Sequence, residues 1–179
     1  KLNKAKGYDI FGSAIIDILN KHKNWKAIVI GDEEREKHNY THKNLDILGF
    51  QNHAKVLNIF KTSSISVVCS RWEEPFGRTS LESSSCGCAV IITNRGGLPE
   101  TITNGIIVEK LNKDNIYRAI ENLIINKKNR KNLQQLSLKN FILTNKNSSK
   151  LIDDYRDKLI NENIEIKKAK LKILHVTNF

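Results

Sequence analysis

The chain has 179 residues, 39% of them hydrophobic, which suits one domain with its own core and argues for no second complete one. Its 30 basic and 19 acidic residues give a net charge of +11, a balance that suits nucleic acid, anionic lipid or phosphorylated ligands. The lysines are scattered, with only short clusters such as Lys127–Lys128 and Lys167–Lys168, so charge alone marks out no groove reader or stacking platform for nucleic acid.

In chain order, Ile10, Phe11, Ala14, Ile15, Ile18 and Leu19 share one face at helical spacing and predict an amphipathic helix over about 8–23. Residues 26–30 read as a buried strand ended by Gly31 and Asp32, and residues 45–48 as a second, closed by Gly49. Val56, Leu57 and Phe60 mark a short helix, and residues 65–69 a third strand. A helix is expected from near Gly77 to Gly87, then strands at 89–93 and 105–108. Three helices follow: one on Ile116, Tyr117, Ala119, Ile120, Leu123 and Ile124, one on Leu133, Leu136 and Phe141, and one on Leu151, Ile152, Tyr155 and Leu159. Only the Lys/Asn-rich stretches 126–132 and 144–150 look like linkers. Alternating apolar strands and helices imply an α/β fold, a doubly wound parallel sheet covered on both faces. Ligands of such sheets bind outside the carboxyl ends of the strands.

Cysteine adds little. Cys69, Cys86 and Cys88 are an odd number in a chain this long, unlike a secreted disulfide framework. Cys86 and Cys88 stand too close together for a zinc knuckle, with no His at ligand spacing, and read as small residues packed under a sheet. No apolar run approaches a membrane span and no signal peptide opens the sequence, so the expected location is the cytoplasm, with peripheral membrane association still allowed.

Residues 73–82, EEPFGRTSLE, follow the third strand and fall where a ligand is expected. Gly77 permits a tight turn and close approach of a ligand to the backbone. A helix starting there leaves the amides of Gly77, Arg78 and Thr79 without partners, which favours phosphate. Glu82, one to two turns in, can accept two hydroxyl protons of a ribose, and Glu74 can accept those of a hexose. On spacing alone, Glu74 reads better as an exposed loop acid and Glu82 as an exposed helix acid.

The segment from Glu74 to Glu82 resembles the E-x7-E signature of retaining GT-B glycosyltransferases, above all the large family four. The continuation SSSCGCAVIITNRGGLPETI resembles that family's small-residue helix, apolar strand and Gly-Gly-Leu-Pro-Glu turn. Residues 1–7, KLNKAKG, are similar to its G-R-L-x-x-x-K-G segment. Three matching segments in the right order each supply the context the others need. The resemblance implies a Rossmann-like domain, the second half of a GT-B fold, binding a nucleotide-diphospho-sugar. It implies that Lys6 binds the donor diphosphate, and Lys1, where the family commonly has Arg, supplies the second cation without the bidentate fork. It implies that Glu82 grips the ribose and that Glu74 is the catalytic acid beside the donor hexose, in a positioning or charge-stabilising role. Phe76, Gly77, Arg78 and Thr79 complete the donor-binding set. No metal and no cofactor are implied, because the lysines offset the diphosphate charge.

The resemblance also implies a partner, the N-terminal acceptor domain, without which transfer is not expected to be efficient. The donor domain is expected over 1–160, with 161–179 a linker and a strand-like tail that resembles the start of a following domain. The apolar, β-prone residues 171–176 are expected to form a strand, a candidate to fill the place of a first, central strand. The competing readings are a non-catalytic sugar-nucleotide-binding module, a basic nucleic-acid-binding domain and a fold-related isomerase.

Overall fold

The computed structural model of the chain describes residues 1–161. These fall into two units, residues 1–142 and a second beginning at Leu143, each described by itself. The tail strand expected at 171–176 lies outside the described residues.

In the first unit, helix α1 (Tyr8–Lys21) starts after Gly7 and buries Ala14, Ile15, Ile18 and Leu19, the face its spacing predicts. A Cβ on Gly7 would lie 1.7 Å from the carbonyl oxygen of Cys69, so no other residue fits there. Strands β1 (Ala27–Val29) and β2 (Leu45–Ile47) pair in parallel, with Ala27 opposite Leu45. A parallel pair needs a long crossover, usually a helix. Here residues 30–44 cross without one. Aromatic packing holds them instead: Tyr8 meets His38 and Tyr40 edge-on, with ring centroids 5.6 Å apart in both pairs. The Tyr40 hydroxyl also donates to the Asp9 carbonyl at 2.9 Å.

Helix α2 (His53–Thr62) leads into β3 (Ile65–Val68), and α3 (Arg78–Ser85) into β4 (Ala89–Thr93). A 3₁₀ turn (Leu98–Thr101) and β5 (Gly105–Val108) follow. These three strands form a parallel sheet in the order β3-β4-β5, with Ile65 opposite Ala89 and Val90 opposite Gly105. Central β4 is buried at every position, as a strand covered on both faces must be. Its pleat sends Ala89 and Ile91 into one core with α1 and α4 (Lys113–Ile125), and Val90 and Ile92 into a second with Cys88 and Leu98.

The sheet is not continuous: β1-β2 and β3-β4-β5 do not hydrogen-bond to each other. A cavity of about 1000 Å³ is lined by both, through Val29 and Val67, and by Leu19 and Ile120 from the helices. Residues 1–7 run from one sheet to the other. Leu2 N–H donates to Asp32 O at 3.2 Å, and the N–H groups of Arg71 and Trp72 donate to Ala5 O at 2.8 and 3.1 Å. The segment thus crosses the carboxyl ends of β1 and β3.

Both Lys/Asn-rich stretches are helical where their composition suggested linkers. Residues 127–132 open α5 (Lys127–Lys139), capped by the Asn126 side chain, which accepts from Asn129 N at 3.0 Å. In the second unit, α6 (Asn145–Asn161) absorbs most of 144–150, with Thr144 Oγ1 accepting from Asn147 N at 3.2 Å. Lysine is a fair helix former, and Asn or Thr just before a Lys-rich run is a start signal. Helix α5 stops at Lys139, short of Phe141. Among the described residues no helix is long and apolar enough to cross a membrane.

Candidate functional site

The loop after β3 is held from below by the turn after β4. Gly97 N–H donates to Glu74 O at 2.7 Å, and Arg95 Nη1 lies 3.1 Å from Glu73 Oε1. Gly96 has φ 53°, and a Cβ on it would sit 2.3 Å from Glu74 O. Only glycine accommodates both the left-handed turn and the close approach.

That support fixes Glu74, whose side chain is 13% exposed. Its carboxylate pairs with Lys6 Nζ, brought from residues 1–7 across the end of β3. Gly77, with φ 91°, is the N-cap of α3, and no side chain caps the helix. The first-turn amides, those of Arg78 and Thr79 included, therefore lack an intrahelical acceptor. Helix α3 buries Ser80, Ser83 and Ser84 against the sheet. Ser80 Oγ donates to Gly77 O at 2.7 Å and meets Thr101 Oγ1 at 2.6 Å, which anchors the helix start.

Lys1, Lys6, Glu74, Gly77, Arg78 and Thr79 all line the cavity described above, at its carboxyl-end mouth. Phe76 is 45% exposed and lies outside that lining, next to it in the chain. Glu82 also lies outside the lining and joins the group through Arg78, whose Nη2 is 3.2 Å from Glu82 Oε1. A second partner of Glu82 comes from elsewhere: His53 Nε2 is 3.1 Å from the same oxygen. Spacing around the two acids gives no hint of His53. The nearest signal is its place at a helix start just past β2, after the Asn52 cap. Exposed Phe50 lines the cavity as well.

Among the described residues no cluster of three or more His, Cys, Asp or Glu side chains could hold a metal ion. Cys69 and Cys88 are buried, and burial pushes both thiols up to about 12. They are packing residues, not nucleophiles.

The family model for glycosyl transferases group 1 matches residues 1–139. The chain belongs to that family. Spore coat protein SA of Bacillus subtilis is 31% identical over an alignment of 119 positions that covers 59% of this chain and 31% of that protein. The phosphatidylinositol N-acetylglucosaminyltransferase GPI3 subunit of Saccharomyces cerevisiae is 29% identical over 116 residues, 60% of this chain and 25% of that protein. The group 1 chain thus matches about a third or less of the length of these relatives.

Among solved structures, the C-terminal domain of a glycosyl transferase group 1 protein (LpcC) from Francisella tularensis superposes with a TM-score of 0.68 at 29% identity. The match covers 76% of this chain and 78% of that one. Anabaena HepE, solved with UDP-glucose, gives a TM-score of 0.64 at 20% identity over 89% of this chain and 47% of HepE, a likeness of fold. The group 1 domain therefore has the Rossmann-like α/β fold of the second half of a GT-B enzyme, as the motifs implied.

Proposed function

We propose that this chain is the donor-binding domain of a retaining glycosyltransferase, which moves a sugar from a nucleotide-diphospho-sugar to an acceptor held by an N-terminal partner domain. The observation that carries the reading is the meeting of Lys6 and Glu74, distant in sequence, beside the uncapped start of α3. A cation, an acid and uncapped helix amides stand together at one mouth, and these are the groups a sugar diphosphate requires, which supports the reading. HepE, of the same fold, is solved with UDP-glucose, which supports the ligand class.

In this reading Lys6 and Lys1 offset the charge that builds on the leaving diphosphate, and the first amides of α3 receive its oxygens. Glu82 accepts from the ribose. Glu74 holds the hexose and stabilises the positive charge that develops at its anomeric carbon. These steps need no metal ion or cofactor. The chain works in the cytoplasm, free or at a membrane surface.

Titration calorimetry of the 179-residue chain against uridine, guanosine and adenosine diphosphates, their sugars and the bare nucleosides tests this. Saturable binding that depends on the diphosphate is expected. Binding to no nucleotide, or affinity only for RNA or DNA that falls steeply with salt, would overturn it.

A further inference from the structure

Glu82 is not a free carboxylate. His53 Nε2 and Arg78 Nη2 approach one of its oxygens, Oε1, at 3.1 and 3.2 Å. Oε2 accepts no hydrogen bond from a described residue. The two holds differ in kind. Arg78 stands one turn earlier on the same helix, and both side chains are exposed, Arg78 by 76% and His53 by 60%. It also sits at the uncapped start of α3, where an anion would draw it away from Glu82. His53 comes from α2, which packs against α3, and it occupies the first position of that helix. The Asn52 cap, which accepts from Lys55 N at 2.9 Å, fixes the backbone there. An imidazole donates to a carboxylate only from a nitrogen that carries its hydrogen, so the bond requires the hydrogen on Nε2.

We propose that His53 is a positioning residue of the nucleoside subsite. By holding Oε1 from a second element, it fixes the Glu82 carboxylate and presents Oε2, with two lone pairs, to the paired hydroxyls of a ribose. Once a diphosphate occupies the start of α3 and competes for Arg78, His53 is the hold that remains. The domain's preference for a ribose over a sugar lacking both hydroxyls therefore depends on His53. This inference rests on the donor-binding reading above.

Calorimetry on the whole chain tests it, using whichever of uridine, guanosine or adenosine diphosphate binds best and its 2′,3′-dideoxy counterpart. The unsubstituted chain is expected to favour the ribose form. His53→Ala should shrink that preference by about two- to fivefold, the worth of one charge-assisted bond from a side chain that is 60% exposed and screened by water, and leave the dideoxy affinity unchanged. His53→Gln, whose amide nitrogen can reach the same oxygen, should restore most of the preference. Thermal melts check that both variants fold. An unchanged preference in His53→Ala overturns the inference, as does an equal loss for both ligands that His53→Gln does not repair. If the unsubstituted chain binds the diphosphates yet does not distinguish ribose from dideoxyribose, the role of Glu82 fails and donor binding stands. If it binds no diphosphate, the donor-binding reading falls and this inference falls with it.

Discussion

Replacing Lys6 with alanine does two things at once. It removes a cation from the mouth of the site, and it leaves the Glu74 carboxylate, 13% exposed, without its partner. Two unit charges about 4 Å apart interact by ~4 kcal/mol at the effective dielectric near a protein surface. The Lys6 side chain is 39% exposed, so water and salt screen more than half of that. About 1–2 kcal/mol remains, a loss of roughly five- to thirtyfold in affinity for a nucleoside diphosphate. Uncovered Glu74 repels the same phosphates and deepens the loss. Adding Glu74→Gln should return about 1 kcal/mol, so that the two substitutions are coupled. Calorimetry on the four proteins of this cycle, with the bare nucleoside as control, reads each of these quantities. Equal losses for the diphosphate and the nucleoside would mark a folding defect. Strictly additive effects of the two substitutions would refute the shared role.

Glu82→Ala should weaken nucleoside diphosphate binding by about 1.5–3 kcal/mol, since hydroxyl contacts to a charged acceptor are lost; calorimetry that finds no change removes the ribose role. Gly96→Ala puts a Cβ 2.3 Å from Glu74 O at a residue with φ 53°, and the left-handed backbone alone costs about 1 kcal/mol or more. Its melting temperature and nucleotide affinity should both fall, whereas alanine at Gly49, which also has a left-handed φ of 64° but meets nothing within 4 Å, should lower the melting temperature and spare the affinity. Added magnesium or a chelator should leave nucleotide affinity unchanged in the same titrations. The Glu121 carboxyl is held down at about 2, first by Lys21 and then by His22 and Tyr117. A depressed carboxyl stabilises the fold above its ordinary value of 4.5, and that contribution is lost as pH falls from 4.5 towards about 2. Glu121→Gln should flatten the urea midpoint against pH across that window.

Legibility in the sequence followed physical cause. Strand β5 begins and ends where its apolar run does, and β4 is apolar from Ala89 to Ile92 because both its faces are covered. The helix at α3 was readable from Gly77 before it and Gly87 after it, since each glycine takes a positive φ at a helix end. The Lys/Asn-rich stretches misled because composition suggests a linker, although a cap and a run of straight side chains suffice to start a helix. The route of 30–44 was silent: its order comes from Tyr8 meeting His38 and Tyr40 edge-on while those two rings stack on each other, and ring packing has no period. His53 was silent for a similar reason. Its partner Glu82 is 29 residues away, and only the folded chain brings them together.

The seat of the Glu73–Phe76 loop on Gly96 and Gly97 has an engineering consequence. The acid loop and the glycine turn belong to successive βα units, yet the backbone of one is the mould for the other. A transplant of residues 73–82 alone into another parallel sheet would carry the chemical groups and lose their posture. The smallest portable piece runs from the start of β3 through the Leu98–Thr101 turn and includes the whole of β4. Even that piece lacks Lys6, which comes from the segment before α1, so a graft of it needs a cation supplied by the host.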